Sequence, residues 1–182
     1  GCKVRGAGNS TIEIEGVPLE SLHPCDHTTV GDRIEAGTFL VGGALMGGPL
    51  RVQGIDPHFL RMAIIKLKQM GCLVETGDDW IEVRRVGDLK PTDIQTLPHP
   101  GFPTDLQAPM MTVCCKAKGR SVFLETIFEN RYRHVAELQK LGGQIELDDR
   151  LAYVQGVSEL HGANLVSTDL RGGAALVLAA LS

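Results

Sequence analysis

The sequence has no excess of basic residues, no long apolar run and no paired C-x-x-C spacing, and each absence removes a class of protein. With 22 acidic against 18 basic side chains and a formal charge of −4, nothing favours nucleic acid, whose phosphates are bound through clustered Lys and Arg. No apolar stretch approaches the roughly 20 residues needed to span a bilayer, so a soluble chain without a membrane partner is expected. The cysteines Cys2, Cys25, Cys72, Cys114 and Cys115 are odd in number, which fits a reducing, cytoplasmic compartment where cysteine serves as a small hydrophobe. The string His23-Pro-Cys-Asp-His27 crowds its ligand types into one short loop with no distant partner set, so no metal is expected there. Arg5-Gly-Ala-Gly-Asn is too short for a phosphate-binding fingerprint and leads into a strand, and reads as a turn.

What the chain does contain is repetition. Gly1-Cys-Lys-Val-Arg before Thr11-Ile-Glu-Ile, Gly71-Cys-Leu-Val-Glu before Trp80-Ile-Glu-Val, and Gly142-Gly-Gln-Ile-Glu before Leu151-Ala-Tyr-Val share one layout of glycine, short strand, polar turn and alternating strand. A period of about 70 residues is too long for a solenoid and suits a compact module of several elements. Between the copies, Glu35, Asp105 and Asp169 each open a run that is apolar on every side. A helix apolar all round must be buried all round, and its glycines and alanines let neighbours approach closely. Segments 59–70 and 130–141 are two-faced instead. Leu60, Ile64, Leu67 and Met70 form one stripe, and Val135, Leu138 and Leu141 another, opposed by Arg61 and Lys68 and by Arg133, Glu137 and Lys140. Short strands are expected over 50–55, 93–97, 121–126 and 164–168. The chain is therefore expected to be an α/β module with helices packed inside its sheets.

Three strand-to-helix junctions concentrate polar residues. Pro98-His-Pro-Gly-Phe-Pro-Thr-Asp-Leu-Gln sets a rigid loop before a buried helix. Thr104 and Asp105 there either cap the helix or form a rim that binds a hydroxyl or anion at unpaired N–H groups. Glu125-Thr-Ile-Phe-Glu-Asn-Arg-Tyr mixes two acids, an amide and an arginine where a strand enters an amphipathic helix, which a solvated helix start would also explain. In Ser167-Thr-Asp-Leu-Arg-Gly-Gly, Arg171 stands in an otherwise uncharged helix and needs an anionic partner, be it a carboxylate, a phosphate or Asp169.

Four strings, Asp32-Arg-Ile-Glu-Ala-Gly-Thr-Phe-Leu, His99-Pro-Gly-Phe-Pro-Thr-Asp-Leu-Gln, Glu125-Thr-Ile-Phe-Glu-Asn-Arg-Tyr-Arg-His-Val and Thr168-Asp-Leu-Arg, run in order across nearly the whole chain. In them the sequence resembles the enolpyruvyl transferases, and within that family the branch acting on a UDP-sugar. The resemblance implies two domains, each an inside-out α/β barrel of three βαβαββ units around buried central helices. By it, residues 1–17 would be terminal strands of a preceding domain and 18–182 most of the second, incomplete in this chain.

The resemblance also implies a reaction. The enolpyruvyl group of phosphoenolpyruvate would pass to the 3-hydroxyl of UDP-N-acetylglucosamine with release of phosphate, a committed step toward bacterial peptidoglycan, with no metal or other cofactor. The sister reaction on shikimate 3-phosphate and a non-catalytic binding homologue are the alternatives. Asp105 would bind the sugar hydroxyl and act as its base. A carboxylate of ordinary pKa about 3.9 cannot deprotonate an alcohol beforehand, so transfer must accompany attack. Ile127 would meet the sugar through its backbone, Phe128 would line the same pocket, and Asp169 and Arg171 would face phosphoenolpyruvate. Glu35 is expected to be structural, and Asp32 and Arg33 to order an interdomain edge. Cys115, inside a buried run, is not expected to be the acid. The family's Lys-Asn pair, its mobile acid loop and a later arginine fall outside this sequence, so the chain is expected to be inactive alone. Its last apolar run has no cap, which leads us to expect an exposed apolar patch and self-association.

Overall fold

The structure, a computed structural model, describes residues 1–167 and 169–182. The three glycine-led repeats are three antiparallel hairpins. The first pairs β1 (Lys3–Arg5) with β2 (Glu13–Glu15), both exposed along their whole length and joined to no larger sheet. After a 3-10 turn at Leu19–Ser21, helix α1 (Arg33–Met46) leads to β3 (Leu50–Gln53), a 3-10 turn (Pro57–Leu60) running into α2 (Arg61–Gln69), and the second hairpin of β4 (Cys72–Thr76) and β5 (Trp80–Arg85). These strands form a sheet of order β3-β5-β4. The next unit comprises β6 (Ile94–Gln95), a 3-10 turn (Thr104–Leu106) running into α3 (Gln107–Cys114), β7 (Arg120–Leu124), α4 (Val135–Lys140), β8 (Gln144–Asp148) and β9 (Leu151–Gln155). Its sheet order is β6-β7-β9-β8, with β6 parallel to β7 and the other pairs antiparallel. That is one complete βαβαββ unit, and α5 (Leu170–Ala180) stands where the inner helix of another would begin.

Alternation fixes which sheet face turns inward. Ile81 and Val83 of β5, Ser121 and Phe123 of β7, and Ala152 and Val154 of β9 are all buried, as the two-residue period of a strand requires. The outer helices bury the stripes read from sequence. Leu60, Ile64, Leu67 and Met70 are in the core, as are Val135, Leu138 and Leu141. Glu137 departs from its expected place on the solvent face. It is buried because its carboxylate accepts from Lys140 Nζ at 2.7 Å and from the backbone N–H of Val166 at 3.0 Å. Those donors, Lys140 first, hold its pKa below the usual range.

The inner helices meet at close range. Every residue of α3 is buried. Gly37 of α1 sits so near α3 that a Cβ there would fall 2.5 Å from Leu106 Cδ1. The Thr112 hydroxyl donates across to the Ala175 carbonyl of α5 at 3.2 Å. Helix α1 starts on an Asp32 cap and ends at Gly47, whose φ of 87° is a left-handed stop that glycine adopts without strain. The expectation of three fully buried helices holds for α3 alone. Phe39 and Met46 of α1, and Leu170 and Val177 of α5, are exposed. A groove between them is lined by Phe39, Met46, Pro49, Val177 and Leu181. The expected strand at 164–168 is absent from 164–167, and Thr168 lies outside the described residues. No helix among the described residues is long and apolar enough to cross a membrane.

Candidate active site

Each inner helix begins near an acid, and two of the three acids cap it while the third does not. Asp32 accepts from the N–H groups of Ile34 and Glu35 at 2.7 and 3.4 Å. Asp169 accepts from those of Arg171 and Gly172, both at 2.9 Å. Both are side-chain caps that satisfy orphan donors of a helix start. Asp105 is not one. The backbone turns into helix at Pro103 and Leu106 without any side-chain cap, because three successive steps of 3-10 turn precede α3 and place Asp105 inside the turn. Its Oδ1 accepts from Arg131 Nη2 at 2.6 Å, and Arg171 approaches to 3.4 Å through Nε. Of the two readings left open at this junction, the cap is excluded for both Thr104 and Asp105. The anionic partner that Arg171 needs is Asp105.

Arg131 reaches this position through a strongly determined loop. Thr126 donates its N–H to Thr96 Oγ1 and its hydroxyl to the Thr96 carbonyl, tying the end of β7 to the strand beside it. Asn130 then takes a φ of 54°, a left-handed conformation that asparagine tolerates better than most residues. The Tyr132 hydroxyl lies 3.2 and 3.0 Å from the carbonyls of Phe123 and Arg150 and anchors the following turn. Burial pushes the pKa of this phenol up. The Arg131 guanidinium sits 5.4 Å from the Phe128 ring centre, within reach of a cation–π contact.

The wall of this site rests on Glu125, which is 1% exposed. Its Oε2 accepts from the Thr104 hydroxyl at 2.9 Å and from Gln107 Nε2 at 3.0 Å. Its Oε1 accepts from the N–H groups of Ile127 and Phe128 at 2.8 and 3.1 Å. Two further buried atoms, Gln107 Oε1 and His134 Nε2, make no hydrogen bond among the described residues. His134 is held neutral, its pKa lowered to about 4, chiefly by burial and also by the Arg131 cation.

The predicted residues therefore fall into two groups. Asp105 and Arg171 form one cluster with Arg131, and Asp169 enters through the start of α5. Ile127 and the half-exposed Phe128 form the adjoining edge. Phe128 and Arg131 border an open cleft of about 870 Å³ whose lining includes neither Asp105 nor Arg171. Arg131 belongs both to that cleft and to the ionic cluster with Asp105. Arg131 was not singled out from sequence, although the Asn130-Arg131 pair at a strand-to-helix junction carried the signal. Glu125 was readable as an acid closing a buried strand. Two guanidinium groups against one carboxylate suit an anionic ligand. No group of three metal-ligating side chains gathers among the described residues. Cys114 and Cys115 are fully buried and their pKa values are pushed up to about 12 by burial, which removes them from acid or nucleophile chemistry.

An interior-helix α/β module of this kind has the architecture of the enolpyruvyl transferases. The chain belongs to the EPSP synthase (3-phosphoshikimate 1-carboxyvinyltransferase) family, whose model matches residues 1–182. It is 46% identical over 180 residues to UDP-N-acetylglucosamine 1-carboxyvinyltransferase of Psychrobacter sp. (strain PRwf-1), covering 99% of this chain and 41% of that protein. It is 48% identical over 182 residues to UDP-N-acetylglucosamine 1-carboxyvinyltransferase 3 of Caldanaerobacter subterraneus subsp. tengcongensis, covering 100% of this chain and 43% of that protein. The chain thus spans about two fifths of the length of these relatives. The crystal structure of the enolpyruvyl transferase NikO from Streptomyces tendae matches with a TM-score of 0.85 at 31% identity, over 100% of this chain and 43% of that one. EPSP synthase from Acinetobacter baumannii, with a TM-score of 0.64 at 16% identity over 84% of this chain and 37% of that one, shares the fold.

Proposed function

We propose that residues 18–182 form most of the second domain of a UDP-N-acetylglucosamine 1-carboxyvinyltransferase, residues 1–17 being the last strands of its first domain. The longer protein transfers the enolpyruvyl group of phosphoenolpyruvate to the 3-hydroxyl of UDP-N-acetylglucosamine in the cytoplasm, for peptidoglycan synthesis. This chain alone is inactive in this reading, because the resemblance places the acid that protonates the enol carbon on a loop outside its sequence. The observation that carries the reading is that Asp105 makes no cap and lies instead against Arg131 and Arg171.

In this reading the sugar 3-hydroxyl attacks C2 of phosphoenolpyruvate while Asp105 takes its proton and C3 gains one. The resulting tetrahedral ketal then loses a C3 proton and phosphate, with the C–O bond to phosphate breaking. Phosphoenolpyruvate brings carboxylate and phosphate groups that engage the forks of Arg131 and Arg171. Those groups draw the guanidinium groups from Asp105 and leave its carboxylate to the hydroxyl. Asp169 holds the start of α5, and with it Arg171, in place. Glu125 already occupies the Ile127 N–H, so Ile127 offers the sugar its carbonyl, and Phe128 covers the adjoining face.

The test is phosphate release by the full-length protein with each acceptor. Turnover with UDP-N-acetylglucosamine and none with shikimate 3-phosphate is expected. Asp105→Asn should lower kcat by roughly 10² to 10⁴, the usual worth of a positioned acid–base group, without loss of fold. Turnover with shikimate 3-phosphate alone, or an Asp105→Asn protein of unchanged kcat, would contradict the assignment.

A further inference from the structure

One buried carboxylate holds two walls of the proposed acceptor site at once. Thr104 and Gln107, both bonded to Glu125 Oε2, flank Asp105 in sequence, so that oxygen fixes the turn from which the base projects. Ile127 and Phe128, bonded to Oε1, form the facing edge. No basic side chain pairs with Glu125 among the described contacts. Its charge is met by four donors, two of them peptide N–H groups that can only donate. A carboxylate accepts at both oxygens and so satisfies all four.

We propose that Glu125 is a positioning residue that sets the distance between Asp105 and the Ile127–Phe128 edge, and so the affinity for the acceptor sugar. This rests on the acceptor reading above. The role depends on span and acceptor geometry, and charge is secondary. The two peptide N–H groups need an oxygen opposite them. On the other side the partners can adapt, because the Thr104 hydroxyl can accept as well as donate, and Gln107 Oε1 is a buried acceptor without a bond. In Glu125→Gln the introduced amide keeps its oxygen toward Ile127 and Phe128 and turns its NH₂ toward Thr104 and Gln107. In Glu125→Asp the carboxylate is one methylene short and reaches one wall only.

Steady-state kinetics of the full-length protein separate these variants. Glu125→Gln should keep KM for UDP-N-acetylglucosamine within about threefold of the parent, while Glu125→Asp raises it about tenfold or more, the scale of one or two lost charge-assisted hydrogen bonds. KM for phosphoenolpyruvate should stay unchanged in both, a split that general loosening of the fold does not produce. Equal acceptor KM in all three proteins, or a worse acceptor KM for Gln than for Asp, overturns the proposal. If the parent itself shows no turnover with UDP-N-acetylglucosamine, the acceptor reading has failed. Acceptor affinity by calorimetry then decides on Glu125, with the same order expected and its reversal or absence overturning the role.

Discussion

At the scale of single residues, the site is an exercise in which acids are consumed by the backbone. Asp32 and Asp169 satisfy helix N–H groups, Glu125 satisfies four donors, and Asp105 faces arginines. The same side-chain type thus caps a helix or pairs with arginines according to where the helix begins relative to it. His134 belongs to this scale too. It is 1% exposed, and burial lowers its pKa from 6.5 to about 4. Between those values the unfolded chain binds a proton that the folded chain refuses, so the contribution is complete above pH 6.5 and is lost as pH falls toward 4. The loss amounts to about 3 kcal/mol. Denaturant unfolding across that range should show a steeper fall in stability for the parent than for His134→Gln, and parallel curves would remove His134 as the cause.

At the scale of elements, contact between inner helices transmits packing to the turn that carries Asp105. Gly37 of α1 lies against Leu106, the residue after Asp105, and Leu106 is fully buried, with Leu60 closing in on the same side. Gly37→Ala should therefore cost about 1 to 3 kcal/mol, the usual penalty for overpacking. Since the strained neighbour carries the Asp105 turn, the folded variant of the full-length protein should also lose kcat. Chemical denaturation and phosphate-release assays check the two effects separately. Unchanged stability would mean that the Leu106 side chain turns aside without cost. The outer helices show how far patterning reaches: α2 has its stripe where the 3.6-residue period puts it, yet Glu137 of α4 is buried against that pattern by two donors that no period reveals.

At the scale of the whole molecule, the chain leaves apolar surface bare. Phe39 is 56%, Met46 55%, Val177 62% and Leu181 55% exposed, and all four border the groove between α1 and α5. A contiguous apolar patch of this kind favours association. Sedimentation of the 182-residue chain at micromolar concentration should show species larger than the monomer, and Phe39→Lys with Val177→Lys should return it to monomer. A parent chain that sediments only as monomer would show that the groove is too shallow to bind a second copy.

Repeats, strand alternation and the apolar-all-round runs were enough to establish an α/β module with interior helices, because periodicity is a local property of the chain. The junction strings marked residues that the structure gathers, Asp105, Arg131 and Arg171. Sequence could not decide whether Asp105 caps its helix, since that depends on a 3-10 turn shifting the helix start by a few residues. It could not pair Arg131 with Asp105, or seat Glu125 on Thr104 and Gln107, because those partners stand 26, 21 and 18 positions apart. It expected α1 and α5 to be covered, with an apolar patch only at the uncapped last run, and the tertiary structure leaves one side of each open. Burial is set by which sheets close over a helix, and that is a property of the assembled layers alone.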